Sequence, residues 1–141
     1  MERFEIMKNK KQKFYLILAF IVLASSQILT HFYRPYIYSN KINDYGFADT
    51  IGSLVCVLGI CFLFWGVKSF SNKEKNKHII LATIIYSVIW EPLGLIGLHG
   101  TFDWKDIVAV FISGALTYLL KEIIEWKMSK SEILNSQIVD K

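Results

Sequence analysis

Cysteine is nearly missing from this chain, and disulfide-framed folds go with it. The two present, Cys56 and Cys61, lie five residues apart inside an apolar block. That spacing puts them on different faces of a helix, which disfavours both a local disulfide and a shared metal site, so they read as apolar filler. Catalytic signatures are missing as well. There is no HExxH, no histidine pair at helical spacing, no serine–histidine nucleophile motif and no phosphate-cradling glycine loop. Neither a metal nor any other cofactor is expected. A carboxylate–histidine metal site would have to be assembled from His31 and His99 with Glu91 or Asp106, and no ligand spacing supports it.

Charge is scarce in four places, and these define the molecule. Apolar blocks at about 14–30, 50–67, 79–98 and 104–120 are nearly free of it, although 20% of the 141 residues are charged. Runs of that kind read as membrane spans, where every backbone polar group is satisfied within the segment. The chain is therefore expected to be one integral membrane domain, all-α, with the lipid bilayer as its first partner. The net charge of +4 does not argue for nucleic acid, because the lysines flank the apolar blocks, as basic residues flank membrane spans.

Residues 1–13 form a basic leader before the first span. A basic start, an apolar run and Ala24-Ser25-Ser26 also fit a signal peptide. The aromatics His31-Phe32-Tyr33 that follow look like an interface anchor and favour an uncleaved span. Residues 31–49 read as a loop whose tyrosines suit the headgroup region, with Asp49 placed to cap the next helix. Gly52, Gly59 and Gly66 make a smooth stripe on span 2, a face for close approach by another span, either of another membrane protein or of a second copy. Residues 68–78 read as a short basic loop and 121–141 as a polar, partly amphipathic tail. Trp104 and Trp126 are expected at the two interfaces.

Thirteen of the sixteen lysines and arginines fall in the leader, the second loop and the tail, leaving Arg34, Lys41 and Lys105 on the other side. This asymmetry predicts a four-helix transmembrane bundle with both termini cytoplasmic. Asp44, Asp49, Asp103 and Asp106 then lie on the outer side, and Glu91 in the outer half of span 3. A carboxyl inside a span needs a partner or a proton and is by default a functional candidate. Pro92 removes a helix hydrogen bond beside it. Gly94 and Gly97 allow an early helix end, which is tolerated at that depth when buried in protein or lining a cavity. Structural readings stand beside the functional one: Glu91 pairs with Arg34 or a hydroxyl, Asp103 is an N-cap and Asp106 a first-turn acid. Ala109, Ser113 and Thr117, four apart, form a packing seam.

The run GTFDWKDIVAVFISGALTYLL, with the acid Glu91 ahead of it, resembles the VanZ-like family of small bacterial membrane proteins. Phe102, Asp103, Asp106 and Ala109 match that family's pattern. Val110 stands where it has asparagine, and Ser113 where it has glycine, with Gly114 one place on. The similarity covers the last third of the chain. It implies a bacterial inner (plasma) membrane and an envelope-related role, the family's namesake being associated with resistance to glycopeptides such as teicoplanin. The ligand-binding candidates are Glu91, Asp103, Asp106, His99 and Arg34, around an outer-leaflet pocket for an amphiphile or cation. Two other readings compete: an enzyme acting on a lipid-linked substrate with Glu91 as general acid or base, and a structural or immunity-type helper whose acids are only caps and pairs. No catalytic residue is assigned.

Overall fold

The computed structural model describes the backbone of residues 2–68, 73–90 and 103–139, and side chains within 9–68, 73–90 and 103–131. Every regular element among the described residues is helical: α1 (Glu2–Ile28), a π-helical turn (Leu29–Tyr33), α2 (Arg34–Ser39), α3 (Phe47–Val67), α4 (Lys73–Trp90) and α5 (Trp104–Val139). Three stretches, Asn9–Ser39, Phe47–Val67 and Trp104–Ser131, are long and apolar enough to cross a membrane. The described part of α4 opens with Lys73, Glu74, Lys75 and Lys77. The apolar continuation of the expected span over 79–98 passes beyond Trp90, outside the described residues.

Helices run further than the hydropathy blocks. The leader is already helical from Glu2, and the expected loop at 31–49 shrinks to 40–46 because the first helix continues, through the π turn, to Ser39. Pro35 explains the turn. It sits at the start of α2, where its missing N–H leaves the carbonyl of His31 without its usual partner. The π turn just ahead, in which Arg34 N–H bonds Leu29 C=O, absorbs the mismatch. The basic loop is likewise shorter than expected, since residues 73–78 belong to α4. The tail at 121–139 is no separate segment but the continuation of α5.

α3 is the centre. It packs along α1 on one side and α5 on the other, and α4 lies against α3 and α5. The core gathers Tyr15 and Ala19 from α1, Val57, Cys61, Phe62 and Trp65 from α3, Ile80 from α4 and Val110 from α5. Much of what remains faces outward: only 17% of the most apolar window of Asn9–Ser39 is buried in the protein. Phe20, Ile21 and Ile28 on that segment are each more than half exposed. Apolar surface on that scale is a liability in water and the ordinary condition in lipid.

Glycine sets the close approaches. A Cβ at Gly66 would stand 2.9 Å from the backbone nitrogen of Leu16, and one at Gly59 would meet the Leu23 side chain. The helix that approaches the expected glycine face at these two positions is therefore α1 of the same chain, and only Gly52 has open space before it.

Two contacts fix how the ends align. Gly46, left-handed at φ 89°, lies against Lys105, whose Nζ would be 2.9 Å from a Cβ there. This joins the 40–46 loop to the start of α5. Lys73 Nζ lies 3.0 Å from Glu122 Oε2, joining the start of α4 to a point far along α5. That hydrogen bond holds the exposed Lys73 ammonium above the ordinary lysine range.

Candidate functional site

Polar side chains collect at both ends of the bundle. At the end holding the 40–46 loop, Arg34 of α2 donates to Asp49 Oδ1 of α3 at 3.0 Å, and the Tyr38 hydroxyl bonds the same oxygen. Asp49 is thus a paired first-turn acid and not the expected cap. Asp44 does the capping, accepting from the N–H groups of Gly46 (3.1 Å) and Ala48 (2.7 Å). The left-handed glycine lets α3 begin at Phe47, so the orphan N–H groups of its first turn point back at Asp44. Arg34, considered from sequence as a partner for Glu91, is used by Asp49. Both side chains are about 40% exposed, at 44% and 38%, and such a pair adds at most about 1 kcal/mol.

Asp103 caps α5: its Oδ1 accepts from Lys105 N–H at 2.9 Å, and its carbonyl from Asp106 N–H at 3.1 Å. Asp106, in the first turn, is different. Ser53, Arg34, Asp49 and Asp103 all lie within electrostatic reach of it. Its Oδ1 is buried yet has no hydrogen-bond partner among the described residues. The end therefore unites Arg34, Asp49, Ser53, Asp103 and Asp106 from three helices. Glu91 and His99 lie outside the described residues. Among the described residues no group of three or more His, Cys, Asp or Glu side chains is arranged to hold a metal ion.

The opposite end holds a cluster that the sequence reading missed. Lys121 is 4% exposed. Its Nζ donates to Glu125 Oε1 at 2.8 Å and to the Tyr15 hydroxyl at 3.0 Å, while Tyr15 donates to the same glutamate oxygen at 3.1 Å. The ammonium also stands over two rings, 4.2 Å from the centre of Tyr15 and 4.4 Å from that of Trp65. A desolvated cation is stabilised by an aromatic face and by a carboxylate together, so the Lys121 ammonium is satisfied and the cluster fastens α1, α3 and α5, while the buried Trp65 Nε1 has no hydrogen-bond partner among the described residues. Its signal was present in the sequence. The seam Ala109–Ser113–Thr117, carried on by four, lands on Lys121 and then Glu125.

Between the two ends the Ser113 hydroxyl accepts from Leu58 N–H of α3 at 3.3 Å, and three other buried hydroxyls are satisfied within their own helices. Thr83, Ser87 and Thr117 donate to the carbonyls of Ile79, Thr83 and Ser113, at 2.8, 2.9 and 2.6 Å. Cys61 and Cys56 touch Thr83 and Ser87 across the α3–α4 contact. No protein-family model matches the chain, and no curated protein or solved structure matches it.

Proposed function

We propose that this is a four-span bacterial inner-membrane protein with both termini cytoplasmic, which binds a cationic or hydrogen-bond-donating group of an amphiphilic ligand beside Asp106 at its outer face. The observation that carries the reading is the buried Asp106 Oδ1 without a partner among the described residues. Its neighbours Asp49 and Asp103, and Asp44 of the 40–46 loop, are all engaged as caps or in pairs. A buried acceptor left unsatisfied costs about 1–3 kcal/mol, and a donor supplied by a ligand removes that cost.

Support for four crossings comes from the two end contacts. Lys73 is level with Glu122, and the 40–46 loop is level with Lys105. Lys73 and Asp103 thus stand at levels as far apart as Glu122 and Lys105 of α5, about 25 Å at 1.5 Å per residue. Trp104 and Trp126, both 63% exposed, are separated by about 33 Å on the same rise, which suits the two interfaces of a hydrocarbon core about 30 Å thick. The lysine and arginine asymmetry supports the orientation.

The VanZ-like resemblance gives the setting, envelope or glycopeptide tolerance. Asp106 and Ala109 of that pattern fall in the first two turns of α5. Val110, in the asparagine's place, is packed into the core, so this chain has no polar group there. The test is teicoplanin susceptibility of a glycopeptide-sensitive bacterium expressing the protein at matched levels. Wild type should raise the inhibitory concentration severalfold and Asp106→Asn should abolish the rise, while Lys127→Gln, an exposed change at the opposite end of α5, keeps it. An Asp106→Asn variant as protective as wild type removes the site. No protection by wild type removes the setting. The helper reading is favoured by the engagement of Asp44, Asp49 and Asp103, and it predicts that Asp106→Asn acts only through lost assembly.

A further inference from the structure

α3 and α4 do not close against each other along their outward side. Between them runs a groove of about 380 Å³, lined by Ile60, Phe64, Ile79, Ala82, Thr83 and Tyr86. This volume falls within the roughly 300–1,000 Å³ of ligand clefts. Thr83, the hydroxyl-bearing wall residue nearest its middle, spends its proton on the Ile79 carbonyl at 2.8 Å, so the wall is apolar in effect. From Ile79 to Tyr86 the groove is about 10 Å long at the helical rise, a third of a bilayer core about 30 Å thick. Phe64 and Tyr86, 53% and 58% exposed, stand at its sides.

Helical register decides what lies at its mouth. On α4 the lining row Tyr86, Ala82, Ile79 continues by four to Lys75, an exposed residue on the same face. On α3 the helix stops at Val67 and Lys68 follows it in extended backbone, at φ −130°, so the α4 wall alone carries its register on to a lysine at the basic end of the bundle. Lysine side chains on a helix lean toward the helix start, which from position 75 is away from the apolar wall. An apolar slot a partial chain long, with a cation one helical turn beyond one end, is complementary to an anionic amphiphile.

We propose that the α3–α4 groove holds one acyl chain of an anionic glycerophospholipid, with the lipid phosphate resting on Lys75. The site lies at the end opposite Asp106 and needs only that α3 lies in a bilayer, so it stands or falls apart from the outer-face reading.

The experiment is native mass spectrometry of the full chain purified from mixed micelles of phosphatidylglycerol and phosphatidylcholine with matched acyl chains. Wild type should retain one phosphatidylglycerol at least fivefold more often than phosphatidylcholine. Lys75→Gln should bring the two lipids close to parity. Ala82→Phe, which fills the groove, should lose both, while Ala115→Phe, the same change on an exposed position of α5, should behave as wild type. Equal retention of the two lipids by wild type overturns the headgroup assignment. Unchanged retention in Ala82→Phe overturns the groove. Should Ala82→Phe fail to fold, Lys75→Gln decides alone, and undiminished preference overturns the proposal. A second copy of the chain in place of lipid, lost in Ala82→Phe, would make the groove a dimer contact and also overturn it.

Discussion

Lys121 of α5 and Tyr15 of α1, 106 residues apart in sequence, meet with the ammonium 3.0 Å from the phenol oxygen and 4.2 Å from the ring centre. A lysine read from hydropathy as the first residue of a tail is instead the fastening at one end of the bundle.

The Glu125 carboxylate should be the more sensitive half of the ion pair. Glu125→Ala strands a buried cation, whereas Lys121→Met leaves a straight apolar stem in the same space and frees Glu125 to turn to water. Glu125 is 40% exposed, so the loss falls between that of a surface pair and that of a buried one, about 1–3 kcal/mol. Thermal unfolding in one detergent should rank Glu125→Ala below Lys121→Met, and a double-mutant cycle should show coupling. The reverse order would make the cation–ring contacts the dominant part.

The glycine face of α3 should respond unevenly to alanine. At Gly66 a Cβ meets the Leu16 backbone as well as its side chain, at Gly59 only side-chain ends, and at Gly52 nothing within 4 Å. Gly66→Ala must push α1 away and should cost about 1–3 kcal/mol. Gly59→Ala should cost less. Gly52→Ala should be neutral, or stabilising by up to about 1 kcal/mol from helix propensity. Unfolding temperatures of the three variants check the order. A Gly52→Ala that breaks an oligomer without destabilising the chain would identify that position as a contact between copies.

The apolar blocks were legible because lipid demands them: a segment buried in hydrocarbon must be apolar along its length, and hydropathy reads that directly. Helix ends were not legible, because the demand lapses in the headgroup region. The helix from the first block therefore runs on through the polar stretch to Ser39, with a π turn just ahead of Pro35. Capping was misread by a few residues. Asp49 stands closest to the apolar run, but the left-handed Gly46 starts α3 earlier, and Asp44 holds its first N–H groups. Lys121 was missed because hydropathy registers a charge and not the direction it points, although the four-residue row from Ala109 aims it inward. Of the acids singled out, Asp103 and Asp106 share one end of the bundle, where Arg34 lies within electrostatic reach of Asp106, and only the geometry distinguishes Asp106 as the one with an unused oxygen. Glu91 and His99 fall outside the described residues.

The most direct measurement is labelling of single added cysteines in intact cells with a membrane-impermeant maleimide. Tyr45, 88% exposed in the 40–46 loop, samples one face, and Lys75 and Ser131, both exposed, sample the other. Four crossings with the Asp106 end outside predict that Tyr45→Cys is labelled in intact cells. Lys75→Cys and Ser131→Cys should then be labelled only after permeabilisation. Labelling of Ser131→Cys together with Tyr45→Cys in intact cells requires an odd number of crossings and would contradict the bundle. Labelling of Lys75→Cys and Ser131→Cys without Tyr45→Cys would invert it and put Asp106 on the cytoplasmic side.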